Sequence, residues 1–295
     1  MSDELPTETR DSAPLETAGR VFWGGTALAY PFEDRCRAAV AGGFTSITVF
    51  PHDCAPPLGA EGIRALADAH NLTVAALDGY TRWGPRWKLT AGADGGVEAD
   101  LAALLGTTED EFFALAETLG AESLNMFEVF GTEYPLEELV EQFGHMCDRA
   151  ADCGRRVTLE FTPLGSIRDI GIGWAVVSGA DRPNGGLLLD TWHYYRGGAN
   201  DDLLERIPGD RFFHVQVNDG PTEPRGATVM EDTMHYRYLP GEGDWPIVEL
   251  LGQLQSKPGI GPFGIEVFND DLMKLPPEEI GRRSGDALRR VLRSA

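Results

Sequence analysis

Four short segments decide the fold: VTLEFTP (157–163), GLLLDTWH (186–193), FFHVQVND (212–219) and FGIEVFND (263–270). Each is a run of strand-forming apolar residues that reaches a polar group able to bind a metal. Those groups are Glu160, Asp190, Gln216 or His214, and Glu266. With Gln216 as the third, successive candidates stand 30, 26 and 50 residues apart. That spacing fits one strand and one helix per interval, with a long insertion in the last. Parallel strands of one barrel turn their C-terminal ends to the same face, so side chains distant in sequence converge there, where barrel enzymes do their chemistry.

Working outward, four earlier runs have the same strand character: VFWGGTAL (21–28), TSITVF (45–50), LTVAALDG (72–79) and AESLNMFEVF (121–130). Stretches with apolar residues at helical spacing separate the runs: 32–43, 59–70, 109–120, 136–154, 170–180, 201–208, 245–255 and 276–294. Pro276 and Pro277 followed by Glu278 and Glu279 make a good start for the last of them. Strict alternation, with continuous apolar strands, predicts parallel strands buried on both faces. Eight units predict a single (β/α)8 TIM barrel over residues 19–295, preceded by a flexible acidic leader at 1–18. An open doubly wound sheet is the rival, but the Gly-rich phosphate loop it would favour after the first strand is missing. Two long insertions, 80–96 and 220–244, fall at the face where loops carry function.

The 295 residues are 42% hydrophobic, ample for one core, and the net charge is −22. Phosphate backbones repel such a surface, so nucleic acid is not an expected partner. No apolar run approaches the roughly 18 residues that would span a bilayer. The N-terminal stretch lacks the basic and apolar regions of a signal peptide. Cys36, Cys54, Cys147 and Cys153 form no CxxC or zinc spacing, which suits reduced thiols in a cytoplasmic protein.

Taken singly, the candidates carry two readings. Glu160 could pair with Arg155, Arg156 or Arg168 as readily as with an ion. Asp190 and Glu266 each interrupt an apolar run, where a buried carboxylate is costly unless paired or metal-bound. Three carboxylates at one mouth repel, and a divalent cation is the simplest remedy. Oxygen donors suit Mg²⁺ or Mn²⁺ better than structural zinc. His214 and Gln216 lie two apart, so they face the same way with His214 one layer deeper, in substrate contact or in the core.

On LEFTP, LLLDTWH, HVQVND, LPGEGDWP and GIEV, the chain resembles the xylose-isomerase-like barrels from about residue 20 onward. These are sugar and sugar-phosphate isomerases and epimerases, with inosose dehydratases, hydroxypyruvate isomerases and repair endonucleases as relatives. The resemblance implies a Mn²⁺ or Mg²⁺ ion held by Glu160, Asp190, Gln216 and Glu266. HVQ matches the members with Gln rather than His as third ligand. It places His193, the histidine of D-x-x-H, beside bound substrate. Glu160 and Glu266 become the catalytic pair, moving a proton through an enediolate. Further candidates for substrate contact are Arg196, His214, Arg225, His235 and Arg237, with His52 and Glu128 from the first half. For the loop residues, a solvated charge is the other reading. Trp23, Trp83 and Trp87 could wall the site but suit packing better. The expected activity is isomerisation or epimerisation of a small sugar-like keto compound. A dehydratase of the inosose or 3-keto-sugar type is the alternative, and a non-catalytic barrel the third reading. The substrate and any homo-oligomer are left open.

Overall fold

The structure, a computed structural model, describes residues 20–84, 106–129 and 131–295. Eight strands run β1 Val21–Phe22, β2 Ser46–Val49, β3 Thr73–Tyr80, β4 Ser123–Met126, β5 Arg156–Glu160, β6 Gly185–Asp190, β7 Phe212–Val217 and β8 Phe263–Ile265. Each pairs in parallel with its neighbours, and β1 pairs with both β2 and β8, so the sheet closes into a barrel. The eight-strand barrel expected from the alternation is therefore present. The leader, residues 85–96 of the first insertion and Trp87 lie outside the described residues.

Period-two alternation builds the barrel wall. Leu187 and Leu189 of β6 join the large core between strands and helices, whereas Leu188 joins a small inner cluster with Val21, Trp23, Ala75 and Ala76. Asp190, two residues on from Leu188, therefore faces inward as well. Burying each outward leucine contributes about 1.5–3 kcal/mol, which helps to offset carboxylates held inside the same strands.

Apart from β3, the strands are shorter than the runs that announce them. VFWGGTAL contributes only Val21–Phe22, because Gly24–Ala27 turn into a 3-10 helix. TWH is not strand: Asp190, the last residue of β6, caps the helix Thr191–Arg196 by accepting from the backbone N–H of Trp192 and His193. In the second insertion, Val229–His235 forms a further helix that the periodicity did not announce.

The first and last α-helices among the described residues, Phe32–Gly42 and Pro277–Ser294, close the outer ring. A Cβ on Gly281 would stand 1.8 Å from the Ala38 carbonyl oxygen, and one on Gly285 would stand 2.1 Å from that of Gly42. Only glycine permits the two backbones to approach this closely. Among the described residues, no helix is long and apolar enough to cross a membrane.

Candidate metal and acid–base site at the barrel mouth

Glu160 is the last residue of β5 and Asp190 the last of β6. Gln216 is the penultimate residue of β7, and Glu266 directly follows β8. Register pairs Asp190 with Gln216, and Gln216 with Gly264, so the candidates step around one rim. Glu160, Asp190 and His193 each offer a ligand atom, all within 4.8 Å of one another. All of these side chains are buried.

Their partners fix where the charges sit. Glu160 Oε1 is 3.2 Å from His193 Nε2, and its Oε2 accepts from Asn125 Nδ2 at 2.8 Å. None of the three arginines considered for Glu160 takes that role. Arg155 donates to the Ala121 carbonyl, Arg156 lies over the Phe213 ring, and Arg168 pairs with Glu133. Asp190 Oδ2 accepts from Arg237 Nη1 at 2.7 Å, and the same Nη1 reaches Glu266 Oε2 at 3.5 Å. Asn218 Nδ2 donates to both Asp190 oxygens and to the Glu266 carbonyl. A Cβ on Gly25 would come within 2.9 Å of Glu266 Oε1 and 2.4 Å of the Phe268 ring, so glycine there leaves room for the carboxylate.

The electrostatics separate the carboxyls. Burial pushes the Glu266 carboxyl well above its ordinary value. Arg237 opposes that rise, while Asp78, Glu160 and Asp190 add to it. Burial also works against ionised Asp190, but Arg237, then His193 and the Asn218 amide, hold it below the usual carboxylate value. Asp78, near the end of β3, is pushed up to about 7 by burial and by Glu160, against its hydrogen bond from Asn125. One mouth thus holds carboxyls with opposed proton affinities, an arrangement suited to acid–base work.

The other named residues fall in several places. His214 lies beneath the mouth, its Nε2 2.8 Å from Ser123 Oγ and its ring edge-on to Trp23. Burial, then Arg156, push it down to about 4, so it is a neutral floor residue. Arg196 is engaged by Asp232 at 2.9 Å and by the carbonyls of Pro221 and Thr222. It ties the second insertion to the helix that bears His193 through three of its five N–H donors. Arg225 bonds Tyr238 and covers the Tyr236 ring at the surface, and exposed His235 pairs with Asp270. Only Arg237 of the insertion's three basic residues enters the carboxylate cluster. Its guanidinium lies against the Phe268 and Trp192 rings, with Nε and Nη2 held by Thr233.

Glu128 is buried, but its Oε2 accepts from the Ser166 backbone and holds the loop after β5. His52 is exposed and stacked on Phe50. Trp23 and Trp83 are buried core residues, Trp83 donating to the Phe127 carbonyl. Three residues of the cluster were not singled out from the sequence: Asp78, Asn125 and Asn218. Asp78 carries the signal that marks Asp190, an acid closing an apolar run in LTVAALDG. Neither asparagine does.

The donor set suits a divalent cation. Three buried carboxylates concentrate negative charge that a single guanidinium only partly balances. Beside them Gln216 Oε1 is a buried acceptor with no hydrogen-bond partner among the described residues, and His193 Nδ1 is likewise unpartnered. Oxygen donors of this kind suit a hard ion, with one imidazole at hand.

Comparison with known proteins agrees with the fold. A family profile described as xylose isomerase-like TIM barrel matches residues 36–291. The 3-dehydroshikimate dehydratase of Pseudomonas putida is 31% identical over 119 residues, 40% of this chain but only 18% of that protein. The inosose isomerase of Halalkalibacterium halodurans is 27% identical over 60% of this chain and 64% of its own length. The chain thus spans less than two thirds of either relative. The crystal structure of the IOLI protein with a bound zinc atom superposes with a TM-score of 0.75 at 20% identity, over 93% of this chain and 98% of that one. Matched along most of its length by that profile, and closed as the same barrel, the chain belongs to the xylose isomerase-like TIM barrel family.

Proposed function

We propose that this protein is a divalent-metal-dependent isomerase or epimerase that moves a proton beside the carbonyl of a small polyhydroxylated compound. The convergence of Glu160, Asp190 and His193 within 4.8 Å at the barrel mouth carries the reading, with Glu266 joined to Asp190 through Arg237. Glu160, Asp190, Gln216 and Glu266 would hold the ion. An ion there supplies Lewis acidity toward adjacent carbonyl and hydroxyl oxygens and so favours an enediolate.

The chain's own residues do the rest. Glu160 and Glu266 stand on β5 and at the end of β8. One carboxylate removes the proton from the carbon beside the carbonyl, and a carboxyl group returns it. Return to the neighbouring carbon isomerises, and return to the opposite face of the same carbon epimerises. His193, within hydrogen-bond distance of Glu160, orients a substrate hydroxyl. Arg237 screens the developing oxyanion charge. Trp192 and Phe268, whose rings lie against that guanidinium, help keep water from it.

A second reading has its own support in the matching segment of the dehydratase from Pseudomonas putida. From the same enediolate, a hydroxyl on the next carbon leaves with a proton from a carboxyl group as water.

The test is Mn²⁺ and Mg²⁺ titration by calorimetry, then a panel of keto-sugars, inososes, hydroxypyruvate and 3-dehydroshikimate with product analysis. Binding of Mn²⁺ and turnover to an isomer support the proposal, and loss of water supports the second reading. Asp190→Asn should weaken Mn²⁺ binding, and Glu160→Gln and Glu266→Gln should each abolish turnover in a folded protein. A protein that binds neither ion and converts nothing would sink both readings.

A further inference from the structure

Two of the mouth carboxylates are held by the same three-part arrangement, on different strands. On β4 and β5, Thr158 Oγ1 donates to Asn125 Oδ1 at 3.0 Å, and Asn125 Nδ2 donates to Glu160 Oε2 at 2.8 Å. Just past the ends of β6 and β7, the Thr191 hydroxyl faces Asn218 Oδ1 and the Asn218 carbonyl oxygen, each at 2.8 Å, and Asn218 Nδ2 donates to the two Asp190 oxygens at 3.1 and 3.2 Å. All six residues are buried.

Each amide is oriented on both sides. Asn125 Nδ2 also donates to Asp78 Oδ1 at 2.9 Å, so both of its hydrogens are directed at carboxylates. Turning the amide over would set Oδ1 against two carboxylates and face Nδ2 to the Thr158 hydroxyl. Asp78, Asn125 and Thr158 are register partners across β3, β4 and β5, which lines the three groups up in one row. Asn218 Nδ2 reaches the Glu266 carbonyl in addition to Asp190, and its backbone N–H donates to Thr191 Oγ1 at 2.9 Å. Apolar side chains of similar size could fill these sites without burying amides and hydroxyls. A glutamate among like charges, by contrast, is driven away from them, and its rotamer freedom must be restrained for it to stay.

We propose that Thr158–Asn125 and Thr191–Asn218 are two positioning pairs, which fix Glu160 and Asp190 so that their remaining acceptor capacity converges on one point. The inference rests on the functional reading above and concerns residues that touch neither ion nor substrate in it. Outer partners of this kind typically change metal affinity or activity by about 10–100-fold.

The test uses the full chain and Mn²⁺ as probe. Thr158→Val and Thr191→Val preserve shape and remove the hydroxyl, and Thr158→Ser and Thr191→Ser keep it. Each Val variant should weaken the calorimetric Mn²⁺ Kd by about 10-fold or more and lower kcat with little change in KM, while the Ser variants stay near the parent. Asn125→Leu should do the same more strongly, with near-UV circular dichroism reporting the fold. If Asn125→Leu does not fold, the Thr series decides alone. Val variants with the parent's Kd and kcat would overturn the proposal. So would Ser variants that lose as much as the Val variants, since packing and not the hydroxyl would then be responsible. A parent protein that binds no Mn²⁺ fails the functional reading itself, an outcome separable from equal binding by parent and variants.

Discussion

Two inward-facing residues of β7, His214 and Gln216, have opposite fates, and the difference is one of depth. Gln216 lies at the rim beside Asp190 with a bare buried oxygen. His214 lies one layer below, against Ser123 and Trp23. Ser123 Oγ donates to the Ala75 carbonyl, so it receives the His214 Nε2–H and the ring is the neutral Nε2–H tautomer. Its folded value is pushed from 6.5 down to about 4, by burial first. The unfolded chain therefore binds the extra proton more readily between those values. The stability His214 contributes is present above about 6.5 and is lost as pH falls toward 4. The ¹⁵N shifts of its ring should remain those of a neutral imidazole from pH 8 to 5. A shift midway near 6.5 would contradict the assignment. The residues that end apolar strand runs were legible because a carboxylate there breaks an otherwise unbroken pattern. Asn125 and Asn218 were not, because a short polar side chain within a strand carries no sign of its partner. Arg196, Arg225, His235 and Arg237 could not be ranked from sequence, because which guanidinium enters the cluster depends on how the insertion packs.

At the scale of elements, alternation announced eight strands and most helices, but tertiary contacts set their ends. Glycines and a capping aspartate stopped β1 and β6 earlier than hydropathy suggests. The seam between Phe32–Gly42 and Pro277–Ser294 was also hidden, since Gly281 and Gly285 read as weak points in a helix until their contacts are seen. Ala at position 281 would improve intrinsic helix propensity, yet its Cβ would meet the Ala38 carbonyl at 1.8 Å. Overpacking should win, so Gly281→Ala should destabilise by about 1–3 kcal/mol and lower Tm. An unchanged or raised Tm would show that the helices slide apart without penalty. The second insertion depends on a different contact. Arg196 reaches Asp232 and two carbonyls of the loop, and Asp232 also accepts from the backbone of Arg225 and Gly226. Arg196→Leu leaves buried Asp232 without its cation, so limited proteolysis within 220–244 should quicken while the barrel stays folded. The same cleavage rate as the parent would show that Asp232 and the turn hold the loop unaided.

For the whole molecule, barrel closure brings the ends of β5, β6 and β8 to one rim, and the proposed activity rests on that convergence. A net charge of −22 does not weaken the case for a small neutral or metal-chelating substrate. The mouth holds two carboxyls raised above their ordinary values, Glu266 and Asp78, and one held below it, Asp190. A site with both can take a proton from carbon and give one back through groups that exchange with solvent. With its true substrate in D₂O, the enzyme should therefore place deuterium at the carbon that receives the returning proton. An isomer or epimer would carry that deuterium and keep all its oxygens. A dehydration product would instead lose one water, and deuterium in recovered substrate would report reversible proton removal before the hydroxyl leaves. Turnover with no deuterium in product or recovered substrate would point to direct transfer of hydride between neighbouring carbons. In that case Glu160 and Glu266 would serve only to hold the ion, and Glu266→Gln should lower turnover no further than it lowers Mn²⁺ occupancy.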